Sequence, residues 1–157
     1  MATPFVLRSA RPDDYDSIVG VVDAWWGRPI AGALQRLFLD HFSATSLVAE
    51  REAPDGTARL AGFLVGFQSP SPDRPDEAYI HFVGVDPDER GSGLARAMYE
   101  DFFERMRAEG RTLVHAVTGP VNVGSIAFHR AMGFDVAGPV ADYDGPGADR
   151  VVFTRAL

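Results

Sequence analysis

Hydrophobic positions along the chain switch between helical and strand spacing in a regular order. Apolar residues recur at helical spacing from Tyr15 to Trp26 and from Leu94 to Met106, which predicts amphipathic helices there. Residues 58–68 and 77–85 are apolar runs bounded by turn residues, which predicts strands. The remaining elements are assigned before, between and after these helices and strands.

The remaining segments complete the order strand-helix-helix-strand-strand-strand-helix-strand-helix-strand-strand. Further strands are predicted at residues 5–8, 46–50, 112–118, 134–140 and 149–156, and further helices over Leu34–Phe42 and after Asn122. This alternation predicts an α/β (α+β) fold with a mixed central sheet of about seven strands and about four helices. No repeat or long linker divides the 157 residues, so a single domain spanning 1–157 is expected.

Composition and charge narrow the classes of function. A formal charge of −7, from 22 acidic and 15 basic residues, argues against a nucleic-acid or anionic-membrane binder and favours a cationic partner. The absence of cysteine excludes disulfides, thiolate metal sites and a cysteine acyl-enzyme. The first residues lack a signal-peptide pattern, and no uncharged run approaches the roughly 20 residues of a membrane helix. We therefore expect a cytoplasmic protein.

The segment that joins strand 77–85 to the following helix carries the clearest chemical signal. Glycines at 91 and 93 let the backbone approach a ligand closely, and the first N–H groups of a helix favour an anion. A P-loop would need Gly-Lys-Ser/Thr here, and a dinucleotide fingerprint would need a small residue where Arg96 stands. A pyrophosphate is the expected ligand, and a glycine-rich turn that merely starts a helix is the alternative.

Two motifs resemble signatures of the GCN5-related N-acetyltransferases, the GNAT superfamily. Arg90-Gly91-Ser92-Gly93-Leu94-Ala95 is similar to the Arg/Gln-x-x-Gly-x-Gly/Ala loop that holds the pyrophosphate of acetyl-coenzyme A (acetyl-CoA). Residues 122–134 are similar to the second signature, Asn-x-x-Ser/Ala-x-x-Leu/Phe-Tyr-x-x-x-Gly-Phe. In that segment Asn122 is a favoured N-cap residue and Gly133 a natural residue to end the helix.

The resemblance implies the GNAT fold, in which the central parallel strands, here 77–85 and 112–118, splay apart to admit acetyl-CoA. The histidines, His41, His81, His115 and His129, show no metal-ligand spacing, so no metal is expected. The cofactor-binding residues that the resemblance implies are Val83, Val85, Arg90, Gly91, Ser92, Gly93, Leu94, Ala95, Arg96, Asn122, Ser125 and His129.

Strand 77–85 carries the candidate catalytic residues. An alkylamine has a pKa of roughly 10, so only about one molecule in a thousand is nucleophilic near neutral pH and a base or proton relay is needed. Tyr79, His81, Val83 and Val85 alternate onto one face, and relatives often carry the base or a water-relaying group at such positions. His81 titrates near neutral pH and is the candidate base, with Tyr79 beside it; a structural histidine is the alternative.

The resemblance also assigns roles to a backbone group and to His129. A backbone N–H near Val83 is expected to stabilise the oxyanion, and Gly84 is compatible with a bulge that frees it. Many relatives have a tyrosine acid where this chain has His129. Histidine donates a proton only as imidazolium, so an acid role and a packing role both remain open for His129.

The end of the first helix carries candidate acceptor-binding residues. Trp26 continues the apolar stripe and is expected in the core, which leaves Trp25 as an aromatic face and Arg28 as a carboxylate ligand. Tyr79 is the third candidate. No feature of the sequence distinguishes an amino acid, a polyamine, an antibiotic, a peptide N-terminus or a lysine side chain as the acceptor.

These expectations describe N-acetylation of a primary amine, of a small molecule or a peptide, by direct transfer in a ternary complex with acetyl-CoA. The alternatives are a non-catalytic acyl-CoA-binding or regulatory module, favoured by His129, and an acyltransferase that uses another acyl-CoA donor. Pairing through C-terminal strands in relatives implies a homodimer by analogy. Nucleic acid and membrane are not expected partners.

Overall fold

A computed structural model of the chain describes residues 5–157. The observed order of elements is the one predicted from the hydrophobic pattern. The strands are β1 (Val6–Ser9), β2 (Leu47–Glu52), β3 (Ala58–Gln68), β4 (Glu77–Val85), β5 (Leu113–Thr118), β6 (Asp135–Val140) and β7 (Arg150–Ala156). The α-helices are α1 (Tyr15–Trp26), α2 (Leu37–Phe42), α3 (Leu94–Ala108) and α4 (Val123–Ala131).

The strands within residues 5–157 form one seven-stranded sheet in the order β1-β2-β3-β4-β5-β7-β6. β4 and β5 pair in parallel, whereas β1 with β2, β2 with β3, β5 with β7, and β6 with β7 pair antiparallel. This mixed sheet confirms the predicted fold class. The β4–β5 register places Glu77–Tyr79 opposite Leu113–His115, and β4 itself continues to Val85. The predicted splaying concerns the residues beyond this register and stays a prediction.

The chain divides into two compact units. One contains the residues up to Phe67 together with Phe82–Arg105, and the other contains Gln68–His81 and Met106–Leu157. The phosphate-loop motif therefore belongs to the first unit and the motif at residues 122–134 to the second.

Helices α1 and α2 supply apolar side chains to the core of the first unit. The buried cluster comprises Ala10, Ile18, Val22, Leu34, Leu39, Val48, Phe63 and Val65. Trp26 packs against this cluster, as predicted, and Trp25 does so too. Trp25 stacks on Phe63 with 6.1 Å between ring centroids.

The predicted start of the second helix is wrong. Helical spacing predicts that Leu34 belongs to this helix, but its backbone is extended, with φ −114° and ψ 94°, and α2 begins only at Leu37. Leu34 is 1% exposed, and its carbonyl accepts a 3.1 Å hydrogen bond from the Tyr15 hydroxyl. A core contact outside the helix thus produced the same spacing as a helical turn.

The core of the second unit lies against α4. Val114, Val151 and Phe153 are buried on β5 and β7, and Met132 and Phe134 are buried where α4 ends. Gly133 has φ +85° directly after the helix, in agreement with its predicted role as a helix terminator. The end of the helix is thus tied to the sheet by the Gly-Phe pair of the motif. No helix within residues 5–157 has both the length and the apolar character needed to cross a membrane.

Gly84 has a packing reason to be glycine. A Cβ atom at this buried position would lie 2.5 Å from Cε1 and 2.7 Å from Cζ of Phe63, and 2.9 Å from Trp26. The aromatic rings of the first unit therefore occupy the space of a side chain. The bulge expected at Gly84 is not needed to explain this residue and stays a prediction.

We expect Gly84→Ala to lower the free energy of unfolding by about 1–3 kcal/mol, because both rings must shift to admit a methyl group. Urea denaturation measures the change. Gly20→Ala is the matched control, since a Cβ atom at Gly20 in α1 meets no atom within 4 Å; it should stabilise the protein by about 0.5–1 kcal/mol. Equal stability of Gly84→Ala and the native protein would contradict the packing argument.

Candidate cofactor and acceptor site

The loop between β4 and α3 is ordered by hydrogen bonds centred on Glu89. The Asp86 carboxylate accepts the Asp88 N–H at 2.9 Å, and the Glu89 N–H donates to the Asp86 carbonyl at 2.8 Å. Ser92 donates both its N–H, at 3.2 Å, and its hydroxyl, at 2.5 Å, to the Glu89 carbonyl. These bonds define the path of the chain from the strand to the first turn of α3.

Both glycines of the loop have backbone conformations that other residues rarely adopt. Gly91 has φ +79° and Gly93 has φ +84°. A Cβ atom at either position would meet no other atom within 4 Å, so backbone conformation and not crowding is what requires glycine. Alternation of left-handed residues with ordinary ones turns successive N–H groups towards one side, which makes an anion-binding concavity.

The N–H groups of this concavity are open to a ligand as far as residues 5–157 show. Among residues 5–157, those of Gly91, Gly93, Leu94 and Ala95 donate to no backbone or side-chain acceptor, and the first helical bond runs from the Ala97 N–H to the Gly93 carbonyl at 3.0 Å. The helix dipole of α3 adds a positive potential at the same place. The loop and the start of α3 are therefore suited to an anion, and its identity as a pyrophosphate stays a prediction.

Arg90 and Ser92 of the motif make contacts inside the first unit. The exposed Arg90 guanidinium donates to the Trp25 carbonyl at 2.9 Å, which joins the loop to the end of α1. The Ser92 hydroxyl is engaged with Glu89. Arg96 projects from α3 and lies 3.6 Å from Glu100.

Glu89 is a residue that the sequence reasoning missed. Its carboxylate is only 7% exposed and accepts hydrogen bonds from Arg51 at 2.8 and 2.9 Å and from Arg59 at 2.9 Å. Arg51 and Arg59 face each other across the β2–β3 hairpin. Two guanidinium groups opposite each other repel unless an anion lies between them. The turn residues at 54–56 predict the hairpin that pairs the two arginines, and this pairing was the sequence signal for a buried carboxylate nearby.

Strand β4 places Tyr79 and His81 in the second unit. The predicted alternation holds over Glu77–His81, where Ala78 and Ile80 are buried and the others half-buried, but the three residues His81, Phe82 and Val83 are all half-buried. Burial raises the pKa of Tyr79 to about 12, with the charges of Tyr143 and Asp144 in the β6–β7 loop adding to the rise. Tyr79 is therefore a neutral phenol at pH 7, able to donate a hydrogen bond but not to act as a base.

A polar group that had no motif context adjoins Tyr79. His115 is the register partner of Tyr79 on β5, and its Nε2 atom lies 3.5 Å from a carboxylate oxygen of Glu77. Its Nδ1 atom is 3.2 Å from the Thr154 hydroxyl. Glu77, Tyr79, His115 and Thr154 thus form a polar cluster that periodicity alone did not reveal.

Asn122 caps α4 as predicted. Its side-chain oxygen accepts the Ser125 N–H at 3.3 Å, and its amide nitrogen donates to the Thr118 hydroxyl at 3.2 Å. The cap therefore ties the start of α4 to the end of β5. The contact of Asn122 and Ser125 with a cofactor stays a prediction.

His129 has the environment of a packing residue. It is 6% exposed, and its ring stacks on Phe153 with a centroid distance of 4.0 Å and an interplanar angle of 5°. Its Nδ1 atom lies 2.7 Å from the Ser125 carbonyl, so this nitrogen carries the proton of the neutral ring. Burial lowers the pKa of His129 below its ordinary value. Of the two roles left open by the sequence, packing is the one that these contacts favour.

The acceptor candidates Trp25 and Arg28 lie at the end of α1. Trp25 is half-buried through its stack on Phe63, whereas Arg28 is exposed just beyond the helix. The Asp23 carboxylate accepts the N–H groups of Ile30 and Ala31 at 2.7 and 2.8 Å and so fixes the segment after Arg28. Within residues 5–157, no cluster of His, Cys, Asp and Glu side chains has the arrangement of a metal site.

Comparison with known proteins gives matches to one family. A model described as the Acetyltransferase (GNAT) family matches residues 8–134. The chain is 33% identical over 96 residues to the L-2,4-diaminobutyric acid acetyltransferase of Nocardia farcinica, with 61% of this chain and 46% of that protein covered. It is 35% identical over 82 residues to an L-methionine sulfoximine/L-methionine sulfone acetyltransferase of Pseudomonas paraeruginosa, with 50% and 48% covered. The chain thus spans about half the length of these relatives.

A solved structure extends the similarity to nearly the whole chain. The diaminobutyrate acetyltransferase of Paenibacillus lautus, solved with L-2,4-diaminobutyric acid and coenzyme A, superposes with a TM-score of 0.71. The alignment covers 98% of this chain and 95% of that one at 20% identity, which establishes a shared fold.

The environment of His129 leads to a pH-dependent stability. Because its pKa is lowered in the folded state, the unfolded chain binds more protons below about pH 6.5, and stability falls as the pH decreases through that value. His129→Phe keeps an aromatic ring against Phe153 but does not titrate. We expect the native protein to lose more unfolding free energy than this variant between about pH 7.5 and pH 5.5. Urea denaturation at both pH values measures the difference, and equal losses would contradict the assignment.

Proposed function

The chain belongs to the GNAT acetyltransferase family, and from this membership we propose that it transfers the acetyl group of acetyl-CoA to a primary amine by direct attack in a ternary complex. The observation that carries the proposal is the loop at residues 86–96. Its glycines require positive φ, and four of its N–H donors, at residues 91, 93, 94 and 95, have no acceptor within residues 5–157. Bound acetyl-CoA supplies an acetyl group activated as a thioester.

The residues proposed to hold the cofactor fit its chemistry. The N–H groups of Gly91, Gly93, Leu94 and Ala95 would donate to the pyrophosphate oxygens, where charge-assisted hydrogen bonds are strongest. Val83 and Val85 on β4 would present backbone groups to the pantetheine arm. Asn122 and Ser125, which are joined in the cap of α4, are further proposed cofactor ligands because they belong to the second motif.

His81 is the proposed base. Tyr79 is not suited to accept the proton of an ammonium group. Burial raises its pKa to about 12, so it stays a protonated phenol at pH 7, and a neutral phenol is a very weak base. A neutral imidazole can accept that proton directly or through water. We assign Tyr79 the role of a hydrogen-bond donor that orients the amine or the relaying water.

Two further groups complete the proposed mechanism. A backbone N–H near Val83 would donate to the thioester carbonyl oxygen and stabilise the negative charge that develops there. His129 is not assigned the role of acid, because its buried, neutral ring keeps its proton on Nδ1 against the Ser125 carbonyl. A leaving thiol with a pKa of about 8.5 needs little acid assistance.

The proposed acceptor is a small amino-acid-like amine. The relatives named above act, by their names, on diaminobutyric acid and on methionine sulfoximine or sulfone, which are amino acids. A net charge of −7 favours an acceptor with a surplus of positive charge. The exposed Arg28 at the end of α1 is proposed to pair with the acceptor carboxylate.

The proposed function is tested by coenzyme A release in the presence of acetyl-CoA and single amines. We expect release above the amine-free rate with L-2,4-diaminobutyrate or L-methionine sulfoximine, and lower kcat/KM with 1,3-diaminopropane, which lacks a carboxylate. Mass spectrometry of the product identifies the acetylated nitrogen. Binding of acetyl-CoA without turnover of any amine would favour the non-catalytic module instead.

Once an amine acceptor has been identified, the variant His81→Ala tests whether His81 is the base. We expect kcat to fall by about 100-fold or more, in the range that general bases contribute, while the Kd for acetyl-CoA changes by less than about threefold. His41→Ala is the matched control, since His41 is exposed on α2 and outside both motifs. A kcat of His81→Ala that equals the native value across the pH range would remove His81 from the mechanism.

A further inference from the structure

A buried carboxylate stands directly before the phosphate-binding motif. Glu89 precedes Arg90 in the chain, is 7% exposed, and receives two N–H groups of Arg51 and one of Arg59. The guanidinium of Arg59 also reaches Asp86 at 3.2 Å, so both ends of the short turn 86–89 are held by the hairpin. Burial of a charged group is costly without such partners, so the arrangement fixes where this turn can lie.

Carboxylates of the turn 86–89 balance the charges of the two arginines. The arginines are register partners on β2 and β3, and each pairs with a carboxylate of the turn: Arg51 with Glu89, and Arg59 with Glu89 and Asp86. Arg51 is 17% exposed and its guanidinium is engaged with Glu89. These side chains are therefore occupied in holding the loop and are not themselves phosphate ligands.

Glu89 connects its ion pairs with Arg51 and Arg59 to the loop N–H groups that lack an acceptor. Its carbonyl accepts both donors of Ser92, and Ser92 separates Gly91 from Gly93. A Cβ atom at either glycine would meet no other atom within 4 Å, so crowding by neighbouring groups does not hold these residues at positive φ. Without these ion pairs, a loop with two glycines would sample many conformations. Ligand binding would then have to offset the loss of conformational entropy on ordering the loop.

We propose that Glu89, held by Arg51 and Arg59, is a positioning residue that preorganises the loop for the pyrophosphate of acetyl-CoA. The inference rests on the proposed function, because it presumes that acetyl-CoA is the ligand of this loop. It adds a role for the β2–β3 hairpin, which lies outside both sequence motifs.

The test compares Glu89→Gln with the native protein by calorimetric titration with acetyl-CoA. The substitution keeps the shape of the side chain but removes the charge that the arginines hold. We expect the Kd to rise by about tenfold or more, the lower end of the losses that follow removal of outer-shell partners at metal sites. Glu52→Gln is the matched control, because Glu52 is an exposed carboxylate on β2, next to Arg51 in the chain; the Kd of this variant should stay within about threefold of the native value.

A second ligand separates positioning from a general loss of structure. S-acetylpantetheine carries the thioester but no pyrophosphate, and NMR titration measures its weak binding. Glu89→Gln should bind it as the native protein does, and kcat at saturating acetyl-CoA should change by less than about threefold. Equal weakening for both ligands, or a Kd for acetyl-CoA within threefold of the native value, would overturn the proposal.

A second variant and the native protein distinguish failure of this inference from misfolding of the first variant and from failure of the proposed function. If Glu89→Gln does not fold, Arg59→Met replaces it, since Arg59 is 42% exposed and its loss leaves the Arg51–Glu89 pair intact; the same pattern with a smaller rise in Kd is expected. Failure of the native protein to bind acetyl-CoA would refute the proposed function and this inference with it. Native binding with an unaffected Arg59→Met and Glu89→Gln would refute the inference alone.

Discussion

The candidate site depends on the backbone conformation of the loop between β4 and α3. Positive φ at Gly91 and Gly93 turns the chain so that the N–H groups of residues 91, 93, 94 and 95 find no acceptor within the described part of the protein. Unpaired N–H groups near a helix start are favourable only where water or an anion can reach them. A side chain at either glycine would strain this conformation, so the binding capacity of the loop follows from two residues without side chains.

The rest of the first unit supports that conformation from several directions. The β2–β3 hairpin holds Glu89 through two arginines, and the end of α1 accepts a hydrogen bond from Arg90. Packing of Trp26 and Phe63 against Gly84 fixes the end of β4 from which the loop departs. Ion pairs, hydrogen bonds and apolar packing thus all restrain the loop between β4 and α3. In the second unit, the cap at Asn122 and the stack of His129 on Phe153 give α4 a similarly defined position on its sheet.

Periodicity and turn residues were sufficient to predict the order of elements, because most strands and helices here bury one clear apolar face. Spacing failed at Leu34, where a core residue outside the helix imitates a helical turn. It also could not reveal Glu89 or His115, since long-range partners such as Arg51 and Thr154 become neighbours only when strands pair. The motifs identified the loop and the cap of α4, but the protonation of His129 followed from its burial and its bond to Ser125, which no motif encodes.

The central claim is that particular N–H groups of the loop bind the pyrophosphate, and amide hydrogen exchange measured by NMR with and without coenzyme A tests it most directly. Without ligand, the amides of Gly91, Gly93, Leu94 and Ala95 should exchange rapidly, because they have no acceptor in the described chain. Saturation with coenzyme A should slow their exchange and shift their resonances more than those of other exposed amides. Saturable binding that leaves these amides unprotected would contradict the account.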